Sequence, residues 1–219
     1  MASRPKNPAP RPVPRLYLMT PALADVSAFS TQLETALDAG DVAAVLLRLA
    51  EADERTLINR AKVLASLVQH RGAALVLYGR VELVARAGAD GAHLCGIADF
   101  TAALETLKPE RIAGAGGLIS RHDAILAAEQ GADYVMFGEP DTTGKCPAFA
   151  AVEERIGWWA EVFEIPCVGY SESLETISPL VAAGADFVAL GDIVWRESNA
   201  IAETIREAGR HLRLPEPAA

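Results

Sequence analysis

Arg121 and His122 stand directly behind paired glycines in the stretch GAGGLISRHD. Gly116 and Gly117 leave the backbone open to close approach, and the unsatisfied N–H groups of a helix start bind anions. Positive charge in a first helical turn runs against the helix dipole. An anion held over Gly116, Gly117 and Arg121 would remove that conflict. His122 is of the type that polarises a carbonyl or moves a proton. Ser120 and Asp123 have a structural reading as the two halves of a capping box. For Arg121 and His122 the alternative is two solvent-facing side chains.

A second cation, Arg48, interrupts the apolar run VAAVLLRLA. Inside a buried strand it needs either an ion-pair partner or a polar opening to point into. His93 ends the short run GAH and reads either as a satisfied core histidine or as a site residue. Glu139 ends the run YVMFG, where it could move protons beside Arg121. Asp99, Glu139, Asp141, Glu172 and Asp192 could converge as oxygen ligands for Mg²⁺, although no spacing specifies that set.

The elements that must position these residues alternate along the chain. Apolar runs are predicted as strands at Leu16–Thr20, Val42–Leu49, Ala74–Gly79, Gly91–Cys95, Ile112–Gly117, Tyr134–Gly138, Pro166–Tyr170 and Phe187–Gly191. Their near-continuous apolar character suits parallel strands covered on both faces. Helical patterns lie between them, for example Asp53–His70 with Leu57, Ala61, Leu64 and Val68 on one stripe. Gly-Ala-Asp recurs at 88–90, 131–133 and 184–186, each time closing a helix and opening a strand. Eight such strand–helix units predict a single-domain (β/α)8 barrel over residues 15–214. A doubly wound sheet is the rival, but no GxGxxG turn follows the first strand. Residues 1–14, MASRPKNPAPRPVP, read as a disordered Pro-rich arm and 215–219 as a tail.

A net charge of −9 and a pI near 5.0 argue against a nucleic-acid partner. No apolar run approaches the length that crosses a bilayer, so no membrane partner is expected. Three cysteines at wide spacing suit reduced thiols in the cytoplasm. The expected partner is a small anionic or phosphorylated molecule, bound through local positive groups. Trp158 and Trp159 on one helix suggest core packing on one side and a homo-oligomer contact on the other.

From Arg15 to about Trp195 the pattern resembles the thiamine phosphate synthase superfamily, which includes the thiazole tautomerases. The likeness is carried by LYLMT, LLRLA, GRVELVARAGADGAHL, GADYVMFG, IPCVGY and GADFVALG. The resemblance implies a (β/α)8 barrel. It also implies an enzyme that joins an aminopyrimidine diphosphate to a thiazole phosphate with Mg²⁺, expelling pyrophosphate. Residue by residue it implies substrate or phosphate contacts at Arg48, Arg80, His93 and Thr143, a catalytic Lys145, and a metal carboxylate near Asp99. Several family residues are missing here. The Gln and Lys flanking the strand-two Arg are Leu46 and Ala50, the metal-binding Asp after strand three is Gly79, and the phosphate-cradling Gly-Gly-Ile after strand seven is Ser171-Glu172-Ser173. An isomerase or tautomerase using His122 or Glu139, and a ligand-binding barrel without catalysis, are the alternative readings.

Overall fold

The computed structural model describes residues 12–213, so most of the 1–14 arm and the whole 215–219 tail lie outside the described residues. Eight parallel strands close into a barrel in sequence order, β1 (Arg15–Leu23), β2 (Val42–Leu49), β3 (Ala74–Tyr78), β4 (Gly91–Cys95), β5 (Ile112–Gly116), β6 (Tyr134–Phe137), β7 (Cys167–Ser171) and β8 (Phe187–Leu190). Closure is made by β1 against β8, with Leu16 opposite Val188 and Leu18 opposite Leu190. The helices that cover the barrel are α1 (Val26–Ala39), α2 (Glu54–Gln69), α3 (Val84–Ala87), α4 (Ile97–Leu107), α5 (Arg121–Glu129), α6 (Phe149–Val162), α7 (Ile177–Ala183), α8 (Asp192–Trp195) and α9 (Ile201–His211). The expected (β/α)8 architecture is therefore present. The short α8 after β8 was not anticipated, and β1 runs past Thr20 to Leu23.

Two hydrophobic layers follow from the period-two alternation of strands. Leu16, Leu18, Val45, Leu47, Leu75, Leu77, Val135 and Phe137 face outward and pack with the helices. Tyr17, Met19, Ala44, Leu46, Val76, Tyr134, Met136, Val168, Tyr170 and Ala189 fill the barrel interior. Arg48, Tyr78, His93 and Gly116 share the inward parity of their strands, which brings them to the barrel axis.

The Gly-Ala-Asp repeat has a common physical job. Gly88, Gly131 and Gly184 take φ of 69°, 96° and 107°, the left-handed turn that ends a helix. The Asp carboxylate then accepts an N–H from the first or second residue of the preceding strand: Asp90 from Leu75 at 2.7 Å, Asp133 from Ala113 at 2.7 Å and Asp186 from Cys167 at 2.8 Å. Each Asp also donates its backbone N–H to that residue's carbonyl, so turn and strand are joined by two hydrogen bonds.

Candidate active site

The barrel mouth is where the strands end and the βα loops begin, and the inward residues of several strands converge there. On β2, the backbone N–H of Arg48 donates to the Thr20 hydroxyl at 3.0 Å, which fixes the strand end. Its guanidinium Nη1 lies 3.7 Å from the thioether of Met19. Among the described residues no carboxylate pairs with it, so the ion pair weighed for Arg48 is absent and its charge faces the mouth. Tyr78 and Tyr170 stand near that charge. Burial pushes both phenols up to about 12, with Arg48 opposing the rise.

Below them runs a buried polar column. The hydroxyls of Tyr17 and Tyr134 are 2.7 Å apart, and that of Tyr134 is 3.0 Å from Nδ1 of His93. The His93 ring is sandwiched between Tyr78 and Tyr134 in stacked contacts. It is 0 % exposed, and burial pulls it down to about 4, so it stays neutral. Its Nε2 has no hydrogen-bond partner. His93 is thus neither a plain core histidine nor a cationic phosphate ligand.

The glycines of IAGAGG serve this column. A Cβ on Gly114 would overlap the Tyr134 ring, and one on Gly116 would overlap both Oε1 of Glu139 and Nε2 of His93. Gly117 turns at φ +59° and donates its N–H to the Glu139 carboxylate. The expected anion site over Gly116 and Gly117 is therefore occupied by the chain's own carboxylate. Burial raises Glu139 to about 7, against the opposing Gly117 N–H and the Arg155 charge.

Arg121 also needs correction. It pairs with Glu154 on α6 at 2.8 Å and lies 4.8 Å above the Trp158 ring, so the conflict with the helix dipole is relieved outside the barrel. His122 is exposed beside it. Ser120 and Asp123 form the expected capping box. Trp159 is fully buried and donates to the Ile165 carbonyl at 2.7 Å.

Of the other expected residues, Arg80 is held by Glu51 at 2.5 Å, which compensates its charge. The Thr143 hydroxyl donates to Asp141 at 2.6 Å inside a tight turn. Lys145 is exposed and lines a cavity of about 530 Å³ with Cys95, Gly117, Met136, Glu139 and Arg155. Asp99 is exposed in the first turn of α4, and no group of three His, Cys, Asp or Glu side chains able to hold a metal occurs among the described residues.

Three contributors were missed from sequence. Tyr17 and Tyr134 could have been found from the inward parity they share with Met19 and Met136. Arg155 could not, because it reaches from α6 to the carbonyls of Leu118 at 2.8 Å and Ile119 at 3.2 Å, a contact made only by the barrel's closure.

Fold and site together define a (β/α)8 barrel enzyme whose mouth sets an arginine, without a carboxylate partner among the described residues, over a buried tyrosine–histidine–glutamate column. The model of the thiamine monophosphate synthase family matches residues 16–194, and the chain belongs to that family, a family of transferases. It is similar to the thiamine-phosphate synthase of Rhodospirillum centenum, with 42% identity over 203 residues covering 91% of this chain and 98% of that one. The thiamine-phosphate synthase of Hyphomonas neptunium is 38% identical over 206 residues, covering 90% and 93%. The solved thiamine phosphate pyrophosphorylase from Pyrococcus furiosus superposes with a TM-score of 0.74 at 22% identity, covering 90% of this chain and 95% of that chain, which establishes the shared fold.

Proposed function

We propose that the protein couples an aminopyrimidine diphosphate to a thiazole phosphate with release of pyrophosphate, in the thiamine biosynthesis of the cytoplasm. The observation that carries this is Arg48, a cation at the mouth without a carboxylate partner among the described residues. In a dissociative transfer the bond to the diphosphate breaks before the new carbon–nitrogen bond forms, so negative charge grows on the departing group. A preorganised cation there lowers the barrier. Protonated Tyr78 and Tyr170 are hydrogen-bond donors beside it, and Lys145 adds charge at the cavity edge. Glu172 and Asp192 repel phosphate from the ends of β7 and β8. That favours phosphate binding on the Arg48 side.

Mg²⁺ belongs to this reading as the partner of the substrate's diphosphate, since the chain's own donor set does not hold it. Cytoplasmic location is supported by the cysteine pattern; no described helix is long and apolar enough to cross a membrane. The test is formation of thiamine phosphate from both phosphorylated precursors with Mg²⁺. Product that requires both precursors supports the reading. A protein that neither binds nor consumes them overturns it.

One observation favours a second reading, in which the site moves a proton on an anionic heterocycle. Glu139 is held near neutrality and borders the cavity, which suits general acid–base work. Exchange of solvent deuterium into the thiazole phosphate alone, lost in Glu139→Gln, would identify that activity.

A further inference from the structure

We infer that His93 is a positioning residue: a neutral imidazole with its proton on Nε2, locked by Tyr17 and Tyr134, whose N–H aims the Glu139 carboxyl at the cavity. The argument starts from proton count. The Tyr17 hydroxyl has one partner among the described residues, the Tyr134 hydroxyl. If Nδ1 of His93 carried the proton, Tyr134 would donate to Tyr17, and the O–H of Tyr17 would be buried without an acceptor. A buried donor left unsatisfied costs about 1–3 kcal/mol. In the opposite direction Tyr17 donates to Tyr134, Tyr134 donates to Nδ1, and every O–H is used. The imidazole proton then sits on Nε2, the one place where the remaining donor has a carboxylate oxygen to turn to.

That nitrogen is fully buried and has no partner of its own. It and Oε1 of Glu139 both border the space that a single methyl on Gly116 would fill. Oε1 also accepts the Gly117 N–H. The Gly117 N–H is the fixed donor to Oε1, and in this inference the Nε2–H turns to the same oxygen across the Gly116 space, leaving Oε2 as the oxygen that a bound molecule can reach. Glycine at 116 is what permits this approach. The inference goes beyond the activity proposed above, because it concerns which proton state and orientation the chain builds into Glu139 whatever the substrate.

Other titratable or charged groups face Glu139 from the elements around it. They are Tyr17 of β1, Tyr78 of β3, Cys95 of β4, Tyr134 of β6, Cys146 of the loop after β6 and Arg155 of α6. Tyr17, Tyr78, Cys95, Tyr134 and Cys146 are uncharged near neutrality. Arg155 is the guanidinium of this set, and it lies on a different element from His93.

The test is spectroscopic and needs no substrate, so its failure is distinct from failure of the transferase assay. Nitrogen-15 NMR of the full chain should show His93 as the neutral Nε2–H tautomer from pH 5.5 to 8. The Nδ1–H tautomer or an imidazolium in that range would overturn the inference. Carbon-13 titration of Glu139 supplies the second arm. His93→Phe should move the Glu139 midpoint up by about one pH unit through loss of a donor to the carboxylate, while His93→Gln, which keeps a donor at that place, should restore it. An unchanged midpoint in a folded His93→Phe chain would refute the positioning role. If that variant does not fold, Tyr134→Phe decides: removal of the donor to Nδ1 should shift the tautomer toward Nδ1–H, and an unmoved tautomer contradicts the relay.

Discussion

Glu139 and His93 carry opposite linkages to folding. The Glu139 carboxyl is raised from an ordinary 4.5 to about 7 in the fold. Its contribution is fully present below pH 4.5 and is lost as pH rises through 7. His93 is lowered from 6.5 to about 4, so its contribution is present above 6.5 and is lost as pH falls through 4. Between pH 4.5 and 6.5 the two slopes oppose each other. Glu139→Gln should therefore expose the histidine alone, with stability falling as pH drops from 6.5 toward 4, measured by urea unfolding across that range. At the same scale, Arg48→Ala should lower kcat/KM for the diphosphate substrate about 100-fold, the size typical of losing one preorganised charge partner of a transition state. Steady-state kinetics checks it. Mg²⁺ alone, without substrate, should leave the melting temperature unchanged, because no group of three metal-ligating side chains occurs among the described residues.

At the scale of elements, the helix-stop cassettes do more than end helices. Asp186 accepts the first N–H of β7 at 2.8 Å, in a part-buried bond. Asp186→Ala should cost about 1–3 kcal/mol, read as a lower denaturation midpoint. Asp133 carries the same bond and also pairs with Lys108 at 2.6 Å. Lys108→Ala should cost less than about 1 kcal/mol, as exposed ion pairs do. The difference between the two substitutions separates strand capping from surface charge.

The whole molecule divides its charges between the inside and the outside of the barrel. Arg121 is committed to Glu154 and Trp158, and His122 is exposed. His122→Ala should leave turnover within about twofold of the native value, while Arg48→Ala falls by the factor given above; two variants in one assay measure the contrast. Arg155 joins the two sides, holding the Leu118 and Ile119 carbonyls and lowering the charge cost of an ionised Glu139. It couples α6 to the site loop from the far side of the cavity.

By itself the sequence determined the barrel. Eight apolar runs, their spacing by helical patterns and three Gly-Ala-Asp stops are local signals, set by strand parity and by glycine's left-handed turn, and they survive without knowledge of any neighbour. It also placed Arg48, His93 and Glu139 at strand ends. Tertiary structure alone decided which charges stay free. Arg121 looked unpaired along the chain, yet it meets Glu154, 33 residues away. Arg48 invited a partner that closure does not bring. Gly116 and Gly117 suggested a cradle for a foreign anion, and the barrel fills it with Glu139 from the next strand end. Partnership between side chains distant in sequence depends on closure of the sheet, and hydrophobic period carries no record of it. The chain's own chemistry lies in those pairings.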